Sequence, residues 1–199
     1  MKKLSIYIVI GFITAFFGKD EKHALQADSI IPEITVETNN AELHELNGVY
    51  YFHGNLFSGY LVAYYSNGSL KEKSGYANGK LSGKSLTWFP NGNLETERYY
   101  KNGEKDSINT GWYENGQKRF EFHFKNGLYN GINKEWYESG AMLSQVTYNM
   151  GKEVKAKQWR ENGKLFTNYV VKDGIIYGLN NSNLCYSIKD ERGQYVPGK

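Results

Sequence analysis

The sequence predicts an all-β fold, an elongated antiparallel β-meander or solenoid of about five 24-residue β-hairpin repeats. Three observations predict it: side chains that favour strands, turn glycines in a regular series, and no helical patterning. Of 199 residues, 31 are aromatic (17 Tyr, 10 Phe, 4 Trp), which is about two-fifths of the hydrophobic content. Aromatic and β-branched side chains suit a pleated, half-buried surface. Glycine (22) and asparagine (20) are abundant and proline (3) is scarce. A hydrophobic share of 40% is too high for general disorder. No segment carries apolar residues at spacings of three and four behind a capping residue.

In chain order, residues 1–27 read as a signal peptide or N-terminal anchor. Lys2 and Lys3 precede a 14-residue uncharged, mostly apolar run, Leu4–Phe17. A membrane span needs ~20 apolar residues, so this run fits a secretory h-region. Cleavage signals near Ala24 and Ala27 are poor, which leaves an uncleaved anchor as the alternative. An exported location (periplasm, envelope or secreted) is expected. Without residues 1–27 the net charge falls from +3 to +1, because four lysines and two acids leave with them. Residues 28–47 read as a linker with one edge strand at Ile34–Thr38.

Residues 48–178 hold the repeats. Trp88, Trp112, Trp136 and Trp159 are spaced 24, 24 and 23 residues apart, and Tyr64 holds the equivalent place 24 residues before the first. From Gly68 to Gly174 the turn glycines step by 11, 13, 11, 13, 11, 13, 11, 12 and 11 residues. Asn-Gly accepts the positive φ that a two-residue type I′ hairpin loop needs at both central positions. Each repeat then reads as one hairpin, and about ten strands at ~4.8 Å make a sheet roughly 50 Å long. Gly59, Gly83 and Gly131 lie five residues before an aromatic anchor. Glycine within a strand marks a bulge or a close approach, and a large aromatic lying across bare backbone is the first expectation. Ser107 and Val154 replace this glycine in the third and fifth repeats, which should be the less regular ones. Residues 179–199 read as a C-terminal cap and tail that cover a sheet edge otherwise prone to aggregate. Cys185 is expected to be buried there, with intermolecular pairing as the alternative.

The segments WFPNGNL, WYENGQK, WYESGAM, WRENGKL, YANGKLSG and FKNGLYNG resemble MORN repeats, and more closely the bacterial variant found in YwqK-like antitoxins. The resemblance covers about Tyr50 to Gly178. It implies a repeat scaffold linked with protein contacts or membrane surfaces, and its bacterial form implies neutralising a toxin. An export signal would separate the chain from a cytosolic toxin.

No catalytic constellation is legible. His23, His44, His53 and His123 lack metal-ligand spacing, and no nucleophile elbow, phosphate loop or dinucleotide fingerprint occurs. Glu95, Glu97, Glu121, Glu135 and Glu138 offer carboxylates, but alternating charges on a strand are normally its wet face. Cys185 has no activating neighbour in sequence. The balance of 24 basic and 21 acidic residues lacks the concentrated basic patch of a nucleic-acid binder. No enzyme activity, cofactor, metal or nucleic-acid partner is expected.

Residues symmetric about a two-residue turn share a sheet face. This assigns Tyr76, Leu81, Phe89, Leu94, Tyr100, Tyr113, Phe120, Phe122, Phe124, Tyr137, Met142, Val146 and Tyr148 to a core face of a curled sheet. Trp88 then sits beside Glu95 and Trp112 beside Arg119 on the opposite face. Tyr64, Trp88, Trp112, Trp136 and Trp159 are the candidate partner-binding residues, spaced ~10 Å apart. The competing reading makes them a second packing row. The expected function is a non-enzymatic exported scaffold that binds another protein at the cell envelope. Glycan or membrane-surface binding through the aromatic stripe is the alternative, and an antitoxin role is the third.

Overall fold

The computed structural model describes residues 31–179, together with the backbone of two short strands further on. The apolar leader, Cys185 and most of the expected C-terminal cap lie outside the described residues. The strands are β1 (Thr35–Glu37), β2 (Leu43–Leu46), β3 (Val49–Phe52), β4 (Asn55–Leu56), β5 (Gly59–Tyr64) and β6 (Leu70–Ala77). Then come β7 (Lys80–Trp88), β8 (Leu94–Lys101), β9 (Glu104–Trp112), β10 (Lys118–Lys125), β11 (Leu128–Tyr129) and β12 (Gly131–Trp136). The last are β13 (Met142–Asn149), β14 (Lys152–Trp159), β15 (Leu165–Lys172), β16 (Ile175–Leu179), β17 (Ile188–Lys189) and β18 (Tyr195–Val196). There is no helix among the described residues.

One 13-stranded sheet dominates. Its consecutive strands from β5 to β16 pair as antiparallel neighbours, with the short β11 joining β10 beside β12. β1 adds to the outer edge of β5 in parallel, Val36 opposite Leu61. The segment read as a linker therefore holds an edge strand. It also holds β2, which forms a separate small sheet with β3 and β4. The β2–β3 turn is Asn47-Gly48, with φ of 52° and 77°.

The turn glycines divide into two kinds, which corrects the single turn type read from the sequence. Asn78-Gly79, Asn102-Gly103, Asn126-Gly127, Met150-Gly151 and Asp173-Gly174 have positive φ at both residues, as type I′ loops require. At Gly68, Gly92, Gly116, Gly140 and Gly163 the glycine alone is positive. There the loop holds three residues: Gly92 N–H donates to Phe89 O, and Phe89 N–H to Asn93 O. That is a type I turn closed by a left-handed glycine, and Pro90 occupies the turn position that favours proline. The alternation of 11- and 13-residue steps is the alternation of these two loops.

Each three-residue loop is followed by a bulge, so the register shifts between Thr87 and Trp88 and at every equivalent place. Trp88 pairs with Leu94, Trp112 with Lys118 and Trp136 with Met142. Leu94 and Met142 thus leave the expected core face for the tryptophan side. Glu95 moves the other way, accepting the Thr87 hydroxyl (3.1 Å). Lys118, rather than Arg119, stands opposite Trp112.

The inner face is built from small polar groups more than from the expected apolar ones. Ser74, Ser85, Thr96, Asn109, Asn133, Ser144 and Thr167 are all buried. Beyond the end packed by the β2–β4 sheet, no second layer covers this face among the described residues, and bulges bend the strands toward it. Space close to the backbone then suits short side chains, and some of their hydroxyls pair, although Thr167 Oγ1 has no partner among the described residues. Ser74 meets Ser85 at 2.8 Å and Thr87 meets Thr96 at 2.7 Å. Asn109 Oδ1 accepts the Tyr99 N–H (2.7 Å) and Asn133 Oδ1 that of His123 (2.8 Å). The apolar cluster lies at one end, where Val36, Phe57, Leu61 and Tyr76 pack together.

Glycine within the strands meets the expectation in part. Gly59, Gly83 and Gly131 have φ of 149°, 70° and 118°, so backbone conformation disfavours a side chain at all three. Rings are close at Gly59, where Phe57 Cζ would lie 3.0 Å from an added Cβ, and at Gly131, where the His123 imidazole Cγ would lie 3.5 Å away, but not at Gly83. The aromatic covering bare backbone most closely is at Gly111, under the ring of Phe120. The third repeat keeps its form because Ser107 itself adopts φ of 56°. A type I′ turn glycine donates to the preceding strand in four repeats: Gly79 to Phe57, Gly103 to Leu81, Gly127 to Lys105 and Gly151 to Tyr129. Gly174 makes no such bond, and the fifth repeat, with Val154, is the irregular one.

A second ladder links repeats through side chains. The hydroxyls of Tyr65, Tyr113 and Tyr137 donate to the carbonyls of Trp88 (2.7 Å), Trp136 (2.8 Å) and Trp159 (3.0 Å). Phe89 stands where the remaining rung, to Trp112, would need a hydroxyl. Phe89→Tyr should therefore raise the unfolding free energy by about 0.5–1.5 kcal/mol, and Tyr113→Phe should lower it by a similar amount. Paired urea melts check both signs.

Candidate binding face

The tryptophan face follows from the register alone. Cross-strand pairs run Val62–Lys73–Leu86–Glu97–Thr110–Glu121–Lys134–Gln145–Lys157. Cross-strand partners point to one side, as do residues two apart on a strand. Tyr64, Trp88, Trp112, Trp136 and Trp159 each stand two residues beyond a member of this line. All five therefore project from one face, close to the bulged turns, two strands apart and so ~10 Å from one anchor to the next. The four tryptophans are half-buried, and Tyr64 is 49% exposed.

Charges between the anchors neutralise one another. Lys84 Nζ lies 3.0 Å from Glu97 Oε1 and over the Tyr99 ring, whose hydroxyl also donates to Glu97. Partial burial pushes the Glu97 carboxyl up, but the Tyr99 and Lys84 hydrogen bonds outweigh it and leave it below the usual carboxylate range. One repeat on, Lys118 Nζ binds Glu121 Oε2 at 2.7 Å and sits over the Trp136 ring, with Lys134 near the other oxygen. The Lys118 hydrogen bond holds Glu121 low against the opposing effect of burial. The face is thus an aromatic row set among internally paired charges.

Of the carboxylates noted in the sequence, Glu95, Glu97, Glu121 and Glu135 are engaged in such pairs or in hydroxyl contacts. Glu135, for example, accepts the Ser144 hydroxyl at 2.8 Å. His53 is exposed beside Glu42, and among the described residues no group of His, Cys, Asp and Glu is arranged to hold a metal.

Tyrosines respond to pH. Burial, with the hydrogen bond donated to Glu153, pushes Tyr169 up to about 12. Burial likewise raises Tyr76, Tyr129 and Tyr148. In the unfolded chain these phenols titrate near ~10. The folded state holds their protons more tightly, so their contribution is complete below about pH 10 and is lost as pH rises through about 12. Urea midpoints should hold from neutrality to about pH 10 and then fall steeply. A midpoint flat across that upper window would contradict the assignment.

No curated protein matches the chain. The family model described as MORN repeat variant matches residues 81–102, 105–126 and 129–150. These spans each start two residues after a type I′ glycine and end within the next such turn, so they follow the 24-residue register of the structure. The chain carries three consecutive MORN-type repeats, between residues 81 and 150.

Proposed function

We propose that this protein is a non-enzymatic, exported repeat scaffold that binds another protein at the cell envelope through Tyr64, Trp88, Trp112, Trp136 and Trp159. The single observation that carries the reading is the placement of all five anchors on one face. MORN repeats occur in proteins that bind other proteins or membrane lipids. A protein partner is favoured here because large aromatic anchors commonly dominate protein interfaces. The charge of +1 without the leader offers little attraction for anionic lipid.

Affinity capture with the full chain and with its Trp112→Ala/Trp136→Ala variant tests the proposal. A protein retained by the first and lost by the second supports it. Retention on insoluble polysaccharide instead would favour the glycan reading. Cell fractionation with intact-mass measurement tests export, and full-length protein in the cytosol would overturn export and revive the antitoxin reading.

A further inference from the structure

The inner face carries a second feature, independent of the tryptophan row. Over β8–β12 a cavity of about 230 Å³ opens beside Phe122 and Tyr129. Its aromatic wall belongs to this repeat alone. Phe120 and Phe122 stack at 4.7 Å between ring centres, and Tyr129 meets Phe122 at 5.6 Å and Phe124 at 4.6 Å. One repeat earlier, the places of Phe120 and Phe122 are held by Thr96 and Arg98.

Three cations line the same cavity: Arg98, Lys105 and Arg119. None has a carboxylate within ion-pair distance among the described residues, whereas Lys84, Lys118 and Lys134 on the tryptophan face all do. Lys105 and Arg119 lie over the Phe124 and Phe120 rings, at 5.2 and 5.7 Å. Glu135 is the one acid in the lining. Asn109, 2% exposed, also lines the cavity, and its Nδ2 has no hydrogen-bond acceptor. The site therefore combines flat apolar walls, a surplus of positive charge and a buried donor without a partner.

We propose that this cavity binds a carboxylate joined to an aromatic group, with the ring against Phe122 and Tyr129 and the anion between Arg98 and Arg119. The volume is below the ~300 Å³ at which drug-sized pockets begin, so it admits one ring and its acid. Two sources share this chemistry, a free aromatic acid and a polypeptide chain ending in an aromatic residue.

Titration of the full chain by ligand-observed NMR tests it, with benzoate for the first source and N-acetylphenylalanine for the second. Saturable binding of either is expected, at least tenfold tighter than N-acetylphenylalaninamide, which lacks the charge, or inorganic phosphate, which lacks the ring. Preference between the two acids distinguishes the sources. Arg98→Gln/Arg119→Gln should weaken binding at least tenfold with an unchanged melting temperature, while Lys84→Gln on the other face should leave it as it is. The proposal is overturned if neither acid saturates, if the amide or phosphate binds as well, or if the double variant binds like the parent. Capture by the tryptophan row is read separately, so either site can fail without the other.

Discussion

Gly111→Ala should lower the unfolding free energy by about 1–3 kcal/mol although it adds a single methyl, because the new Cβ enters the space of a buried ring. Phe120 stands directly opposite Gly111 and is 9% exposed. The equivalent pairs elsewhere are Thr87 with Thr96, Glu135 with Ser144 and Gln158 with Thr167. The third repeat has thus exchanged two medium side chains for a large one and none. That exchange predicts a rescue: Gly111→Ala should be far less harmful beside Phe120→Thr, which removes the ring and restores the small hydroxyl. Chemical denaturation of both single variants and the double gives the coupling energy. Additive effects would mean that ring and glycine do not share this space.

The largest single loss is expected at Phe57→Ala, about 3–5 kcal/mol for a buried aromatic. Phe57 is 3% exposed and its ring centre is 6.1 Å from those of both Phe52 and Tyr76. This cluster joins the small β2–β4 sheet to the first full hairpin, β5–β6. In a repeat array stability is close to a sum of local units and their interfaces, so the loss should be local. Hydrogen exchange should quicken in β1 and β3–β6 and stay unchanged in β13–β15. Uniform quickening along the sheet would show a single cooperative unit instead.

The meander was legible because its determinants are local. Asn-Gly pairs set their own backbone conformation, and a 24-residue period needs no knowledge of distant contacts. The Asn47-Gly48 hairpin carries the same signal but lies outside the period, within a stretch rich in acids, and so reads as linker. Faces were harder. Pairing by symmetry about Gly92 assumes no extra residue, yet the three-residue loop and the bulge at Glu95 each add one. Leu94 and Met142 therefore change sides, while the aromatic anchors stay together because the same insertion recurs in every repeat. Ser107 misled for a related reason, since a serine can be held at positive φ when its neighbours fix the turn, at about 1–2 kcal/mol. The cluster around Phe122 left a trace in the sequence, the run Phe120-Glu121-Phe122-His123-Phe124, whose alternation places three rings on one side. Of the cations that meet them, Arg119 lies on the same strand, while Arg98 and Lys105 come from β8 and β9 and are brought there by the observed register.

Whether the tryptophan row is an outer row free to bind is tested most directly by the equilibrium unfolding free energy of Trp112→Ala/Trp136→Ala. Half-buried anchors on an outer row should together cost less than about 2 kcal/mol, leaving a folded chain with its inner face intact. A loss of about 6 kcal/mol or more, the sum expected for two fully packed aromatics, would make the tryptophan row part of the core and contradict the account.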